Sequence, residues 1–308
     1  MSTALRLSVF LAPLLSAAIW GSWYQPAAST MARDSSDDVE DVALINLPPL
    51  PAWANEPLPD FTGYRDTTEK KAAFFSFIYP RVVLANARIL IQRHYLEALS
   101  KQDTLKPAEV SWLKQQAERL RVDAEIVAGN QALFDALEQR LDIVPPSLIL
   151  AQAANESAWG TSRFARQGNN LFGQWCFSDG CGLVPKRRVE GASHEVAAFK
   201  SPYGSIRAYI QNLNRHASYK PLREAREKAR ERDMFPPGRK LAAGLTSYSE
   251  RGKDYVREIR HMIDYNNLSY YDSQYTLSIG YDPDQEALMQ TATAGEGALM
   301  PGNVKKGG

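Results

Sequence analysis

Pro145-Pro-Ser-Leu-Ile-Leu-Ala-Gln-Ala-Ala-Asn-Glu-Ser-Ala-Trp-Gly160 is the stretch on which the reading of this chain turns. Pro146 opens a helix at the first position, where a missing N–H costs nothing. Gly160 offers a stop. Leu148, Ile149, Leu150, Ala151, Ala153 and Ala154 are apolar or small, so the spacing predicts a buried helix. Glu156 is the one carboxyl in it, near the C-terminal end. Such a group is expensive to bury unless paired or neutral. Desolvation raises a carboxyl pKa, and the negative end of the helix dipole also disfavours an anion. Both effects favour a protonated acid near neutral pH, the state that can protonate a glycosidic oxygen. Gln152 lies one turn earlier on the same face, where an amide can orient the carboxyl or a substrate. The competing reading is a surface carboxylate bridged to Arg163 or Arg166.

The flanks divide by texture. Residues 1–28 carry Arg6 and then an apolar run over 7–20, which reads as a signal peptide or N-terminal membrane anchor. The run is short for a ~30 Å hydrocarbon core, which favours cleavage. Residues 29–66 are expected to be a Pro-rich linker, since Leu47-Pro-Pro-Leu-Pro-Ala-Trp-Ala-Asn-Glu-Pro-Leu-Pro59 cannot hold a helix. Residues 67–143 read as a helical segment, with a first helix over 69–99 that Pro80 should kink or split. Two further helices follow at 104–120 and 130–141. Beyond the quoted stretch, 194–199 is the best strand. Helices are expected from Ser201, over 221–233, over 238–245 and over 253–265. The charged run 223–233 reads as a solvated helix laced with i,i+4 pairs. Residues 269–308 read as a flexible tail.

Composition excludes some functions. Of 308 residues, 44% are apolar and 23% charged, so the bulk is globular. A formal net charge of +1 offers no global attraction to nucleic acid. The two cysteines, Cys176 and Cys181, flank an Asp179-Gly180 turn, and in an exported protein they read as a local disulfide. With four His in the chain and none beside the cysteines, no metal site and no cofactor is expected.

Ala151-Gln-Ala-Ala-Asn-Glu-Ser-Ala-Trp-Gly-Thr-Ser-Arg-Phe-Ala165, followed by Asn169-Asn-Leu-Phe-Gly-Gln-Trp175, strongly resembles the glucosaminidase family, glycoside hydrolase family 73. Trp175-Cys-Phe177, Cys181-Gly-Leu-Val-Pro185, His194-Glu-Val-Ala-Ala-Phe199 and Asn212-Leu-Asn-Arg-His-Ala-Ser-Tyr219 resemble its Bax-like branch. The resemblance covers roughly 67–268, with 144–268 as the catalytic domain. It implies a mainly α, lysozyme-like α+β fold: a helical body, a small β-type lobe and a substrate cleft between them. It implies hydrolysis of the β-1,4 bond after N-acetylglucosamine in peptidoglycan glycan strands, in the cell envelope.

By the same resemblance Glu156 stands where the family has its general acid. Glu195 is the preferred second carboxylate, with Glu190 as the alternative. Tyr248 is expected to bond the sugar or the catalytic water. Asn169, Asn170, Phe172, Gln174, Trp175, Gln152 and Tyr255 complete the expected substrate-binding set. Trp175 is the stacking platform, and Trp159 packs beneath the acid. A lytic transglycosylase that works with a lone helix-borne Glu is the first alternative. A non-catalytic wall-binding protein or envelope scaffold is the second. In the anchored case the N-terminal segment contacts membrane.

Overall fold

The structure, a computed structural model, describes residues 47–186, 188, 191–280 and 283–302. The expected signal or anchor at 1–28, and Glu190, lie outside the described residues.

The first helix is α1 (Thr67–Ser100), capped by the Asp66 carboxylate, which accepts the Glu69 N–H at 2.8 Å. Pro80 does not split it. Almost every residue from Phe74 to Gln92 is buried, so packing on all sides outweighs the hydrogen bond the proline deletes. By length and composition α1 could cross a membrane, but 83% of its apolar window is buried inside the protein, so it is a core helix. Then follow α2 (Pro107–Leu120), α3 (Gln131–Arg140), α4 (Pro146–Glu156) and α5 (Arg163–Gly168). Three short strands come next, β1 (Trp175–Cys176), β2 (Gly182–Leu183) and β3 (Glu195–Ala197). The chain continues through α6 (Pro202–Arg215), α7 (Lys220–Arg230), α8 (Gly238–Leu241), α9 (Lys253–Tyr265), α10 (Ser269–Ile279) and α11 (Gln285–Thr293).

The predicted buried helix is α4, and it sits at the centre of the body. Leu148, Ile149 and Leu150 are fully buried, each contributing roughly 1.5–3 kcal/mol of apolar burial. α1, α8, α9 and α10 pack around it. Pro145 gives α4 no side-chain cap. Asp272, on α10, supplies one from 125 residues away. It accepts the Ser147 N–H at 2.8 Å and the Ser147 hydroxyl at 2.6 Å. The same carboxylate accepts the Gly238 N–H at 3.2 Å and so ties α8 to the start of α4. Gly238 is required by that approach, since a Cβ there would stand 2.2 Å from the Ser147 hydroxyl oxygen. Burial pushes the Asp272 carboxyl up to about 6 against the pull of these donors.

Two flanks differ from the sequence expectation. Residues 47–66 are not a free linker, for Ala54 and Phe61 are fully or nearly fully buried. Residues 269–280 and 283–300 are not a tail but carry α10, α11 and a closing turn, with Tyr275, Leu288 and Ala292 in the core. The buried Arg81 of α1 joins both flanks. It donates to the Trp53 carbonyl at 2.8 Å and pairs with Glu296 at 2.5 Å. Trp53 closes the contact by donating its indole N–H to the Ala294 carbonyl at 3.0 Å.

The charged helix α7 also differs. Arg223 and Arg226 are buried, not solvated. Arg226 donates to the carbonyls of Ile143 and Gln139, both at 2.8 Å, and Arg223 to those of Leu213 and His216 at 2.9 and 2.8 Å. Chain ends between helices leave carbonyls that need donors, and a guanidinium supplies several at once. Lys220 and Glu224 do form the expected i,i+4 pair on the outer face.

The sheet has the order β1-β3-β2, antiparallel throughout, with Cys176 opposite Glu195 and Gly182 opposite Ala197. A helical body carrying one small antiparallel sheet is the lysozyme-like α+β arrangement that the motifs implied.

Candidate active site

Glu156 is the last residue of α4 and is half-buried. The chain after it is forced into an unusual path. Ala158, Trp159 and Gly160 have φ of 51°, 60° and 75°, three consecutive left-handed residues. The two non-glycine positions each cost about 1 kcal/mol or more. Ser157 stabilises the turn, donating to the Ala153 carbonyl at 2.6 Å and accepting the Gly160 N–H at 2.8 Å. Trp159 packs edge-on against Phe74 and Phe75. At Gly160 a Cβ would also strike the Phe61 ring at 2.6 Å, so the former linker helps fix this turn.

A one-directional chain of hydrogen bonds ends on the carboxyl. Tyr209, on α6, donates to the Gln152 carbonyl oxygen. The Gln152 amide donates to the Tyr255 hydroxyl at 2.7 Å. Tyr255, on α9, donates to Glu156 Oε1 at 2.7 Å, and Asn155 adds a longer bond at 3.3 Å. Such chains polarise each member toward the acceptor. Among the described residues no hydrogen bond reaches Oε2. Burial pushes the Glu156 carboxyl above the usual range. The bonds from Tyr255 and Asn155 oppose it, the charge of Glu258 adds to it, and Arg251 opposes it. Burial likewise holds the Tyr255 hydroxyl, next to this carboxyl, far above its ordinary value, so it remains a donor.

The wall beside the acid is aromatic. Tyr248 lies parallel to Tyr255, with centroids 5.4 Å apart and planes at 6°. Its hydroxyl donates to the Phe172 carbonyl at 2.8 Å. Phe172 in turn stacks on Tyr209 at 4.0 Å. The Tyr248 hydroxyl thus joins the body to the 169–175 segment. Tyr255, expected as one member of the substrate-binding set, is the tyrosine that touches the acid.

The 169–175 segment is knotted by its own side chains. Asn169 takes a left-handed conformation at the end of α5, and its amide donates to the Phe199 carbonyl at 3.0 Å. Asn170 is buried, donates to the carbonyls of Gln174 and Ala197, and accepts the N–H groups of Phe172 and Gln174. Both asparagines thus work on main chain. Phe172 and Gln174 are buried as well. Trp175 is half-buried, with one face stacked on His194 at 4.3 Å.

The β-lobe gives Glu195 a different setting from the one expected. Its two oxygens accept the N–H groups of Gly180 and Gly182, at 3.1 and 2.7 Å. It clamps the loop closed by the Cys176–Cys181 disulfide and takes no part in the hydrogen bonds at Glu156. Ligand atoms of Cys176, Cys181 and Glu195 lie within 4.8 Å of one another, but the sulfurs are bonded to each other. Glu195 is buried, and its partners there are loop amides.

Sequence reasoning missed Glu258 and Arg251. They form an ion pair at 2.7 Å, one helical turn beyond Tyr255 and just before α9 respectively. The apolar period of 253–265 was the available signal: it places Tyr255 on the inner face and Glu258 three residues on.

Comparison with known proteins agrees with the motifs. Residues 131–268 match the glucosaminidase family described as mannosyl-glycoprotein endo-beta-N-acetylglucosaminidase. The Escherichia coli (strain K12) protein called Protein bax is 36% identical over 200 residues, covering 64% of this chain and 70% of that protein. The chain belongs to the glucosaminidase family. Within it, the glucosaminidase match runs from the start of α3 to the end of the α9–α10 turn, so it includes α4, the sheet and the tyrosine wall. No solved structure matches the chain.

Proposed function

We propose that this protein is a peptidoglycan hydrolase that cleaves the β-1,4 bond after N-acetylglucosamine, with Glu156 as general acid. The observation that carries the reading is a half-buried carboxyl with raised proton affinity, one oxygen held by Tyr255 and the other without a hydrogen bond among the described residues. Oε2 delivers its proton to the glycosidic oxygen as the C1–O bond breaks. The carboxylate left behind is stabilised by the Tyr255 hydroxyl. Because both Glu195 oxygens are held by loop amides, Glu195 is a poor base or nucleophile in this arrangement. The acetamido carbonyl of the substrate then supplies the electrons to C1, and water opens the resulting ring with Glu156 acting as base. The disulfide and the family likeness support a working location outside the reducing cytoplasm, in the cell envelope.

The lone acid also fits a lytic transglycosylase, in which the substrate's own hydroxyl attacks. Mass spectrometry of purified peptidoglycan digested by the protein separates these readings. The proposal expects fragments ending in reducing N-acetylglucosamine. Anhydro-muramic ends would support the lytic reading, and reducing muramic ends would overturn the assigned bond.

A further inference from the structure

We propose that the Arg251–Glu258 ion pair is the electrostatic control of the acid, with Glu258 as a second carboxylate that sets the pH at which Glu156 gives up its proton. The inference rests on Glu156 being the general acid. Tyr255 is the anchor of the geometry: its hydroxyl touches Glu156 Oε1 at 2.7 Å from the first turn of α9. Glu258 lies three residues on, so its side chain leaves α9 on the same face, about 5–6 Å away at Cβ. Arg251 reaches it from the loop before α9, placing Nη1 2.7 Å from Glu258 Oε2. The loop is fixed from both sides. Tyr248 is stacked on Tyr255, and Gly252 turns the chain with φ of 51° into α9. Though Glu258 is partly exposed, its Oε2 is closed off from water, so its charge is less screened than that of a free surface carboxylate.

Among the described residues, the side chains bonded to Glu156 or stacked beside it are neutral. Tyr209 from α6, Tyr248 from the loop and Tyr255 from α9 are all held protonated by burial, and Gln152 and Asn155 do not titrate. Among the described residues, Glu258 and Arg251 are charges felt at the acid, and they act with opposite signs. Glu258 makes ionisation of Glu156 harder; Arg251 makes it easier and also restrains Glu258. Like-charge coupling between carboxylates is a general route to holding one of them protonated. Here the coupling is moderated by a cation on a loop, which lets small changes in that loop retune the acid without touching it.

The test is the pH–rate profile of peptidoglycan cleavage by the full chain, for wild type, Glu258→Gln, Arg251→Gln and Arg251→Lys. Melting curves confirm folding; the two side chains are 36% and 58% exposed, so the changes are tolerable. The basic limb reports deprotonation of the acid. It is expected to move to lower pH in Glu258→Gln, to higher pH in Arg251→Gln, and to return to the wild-type position in Arg251→Lys. Limbs that stay put, or move the same way in both glutamine variants, overturn the proposal. Activity in a Glu156→Gln control would instead overturn the assignment of the acid, so the two failures are distinguishable.

Discussion

Glu156→Gln lowers the rate of glycan cleavage by roughly 100- to 10,000-fold, the usual contribution of a positioned general acid. The loss falls on kcat, because the proton is needed only as the glycosidic bond breaks. Folding is retained. Gln keeps an oxygen to accept the Tyr255 hydroxyl, which Glu156 Oε1 does now at 2.7 Å, and it removes a carboxyl whose ionisation burial already penalises. The melting temperature therefore stays equal to that of wild type or rises. Turbidity clearing of purified peptidoglycan, with melting curves alongside, checks both halves. Equal clearing by the two proteins would remove Glu156 from the mechanism.

The largest effect on stability is expected far from the acid. Asp142→Ala is predicted to lower the unfolding free energy by about 3–5 kcal/mol, the cost of stripping one member from a buried ion pair. Asp142 is buried between α3 and α4 and accepts Arg230 Nε at 2.6 Å, with Arg226 Nε at 3.3 Å from the same oxygen. Burial alone would raise its carboxyl, but Arg230 and Arg226 outweigh burial and hold it well below the usual range. The sign of the pH dependence follows. A depressed carboxyl contributes stability above its unfolded value near 4, which is lost as pH falls through the lower folded value. The cost of Asp142→Ala is thus full at pH 7 and shrinks only in strong acid. Denaturant unfolding at several pH values measures it; a cost below about 1 kcal/mol at pH 7 would mean that the pair only offsets its own desolvation. Asp272 works in the opposite sense. Its carboxyl is raised to about 6, so its contribution is complete below about 4 and declines as pH rises through 6.

Much of the body was legible because its helices are written in local pattern. The run 148–154 is apolar or small but for Gln152 and becomes the central helix, and the period of 253–265 is clear enough that α9 begins and ends where it does. The flanks were not legible. Phe61 and Ala292 are single apolar residues between polar neighbours, yet both lie in the core, a burial that local pattern does not announce. Arg226 misled for a related reason: its charge reads as solvent-facing, whereas buried carbonyls 83 and 87 residues away require its donors. At the site, the helix context of Glu156 was readable, since burial and the helix end act locally. Its hydrogen-bond partner was not, because Tyr248 and Tyr255 look alike in sequence and differ only in what each hydroxyl reaches. Glu195 shows the same limit, since its partners, the amides of Gly180 and Gly182, are set by a loop fold.

The central claim is that Glu156 stays protonated until the substrate takes its proton. Carbon-detected NMR titration of protein labelled at the glutamate carboxyls reads this directly. The account predicts one glutamate resonance that titrates above the ordinary range and vanishes in Glu156→Gln. A Glu156 resonance that titrates at or below the ordinary range would contradict it.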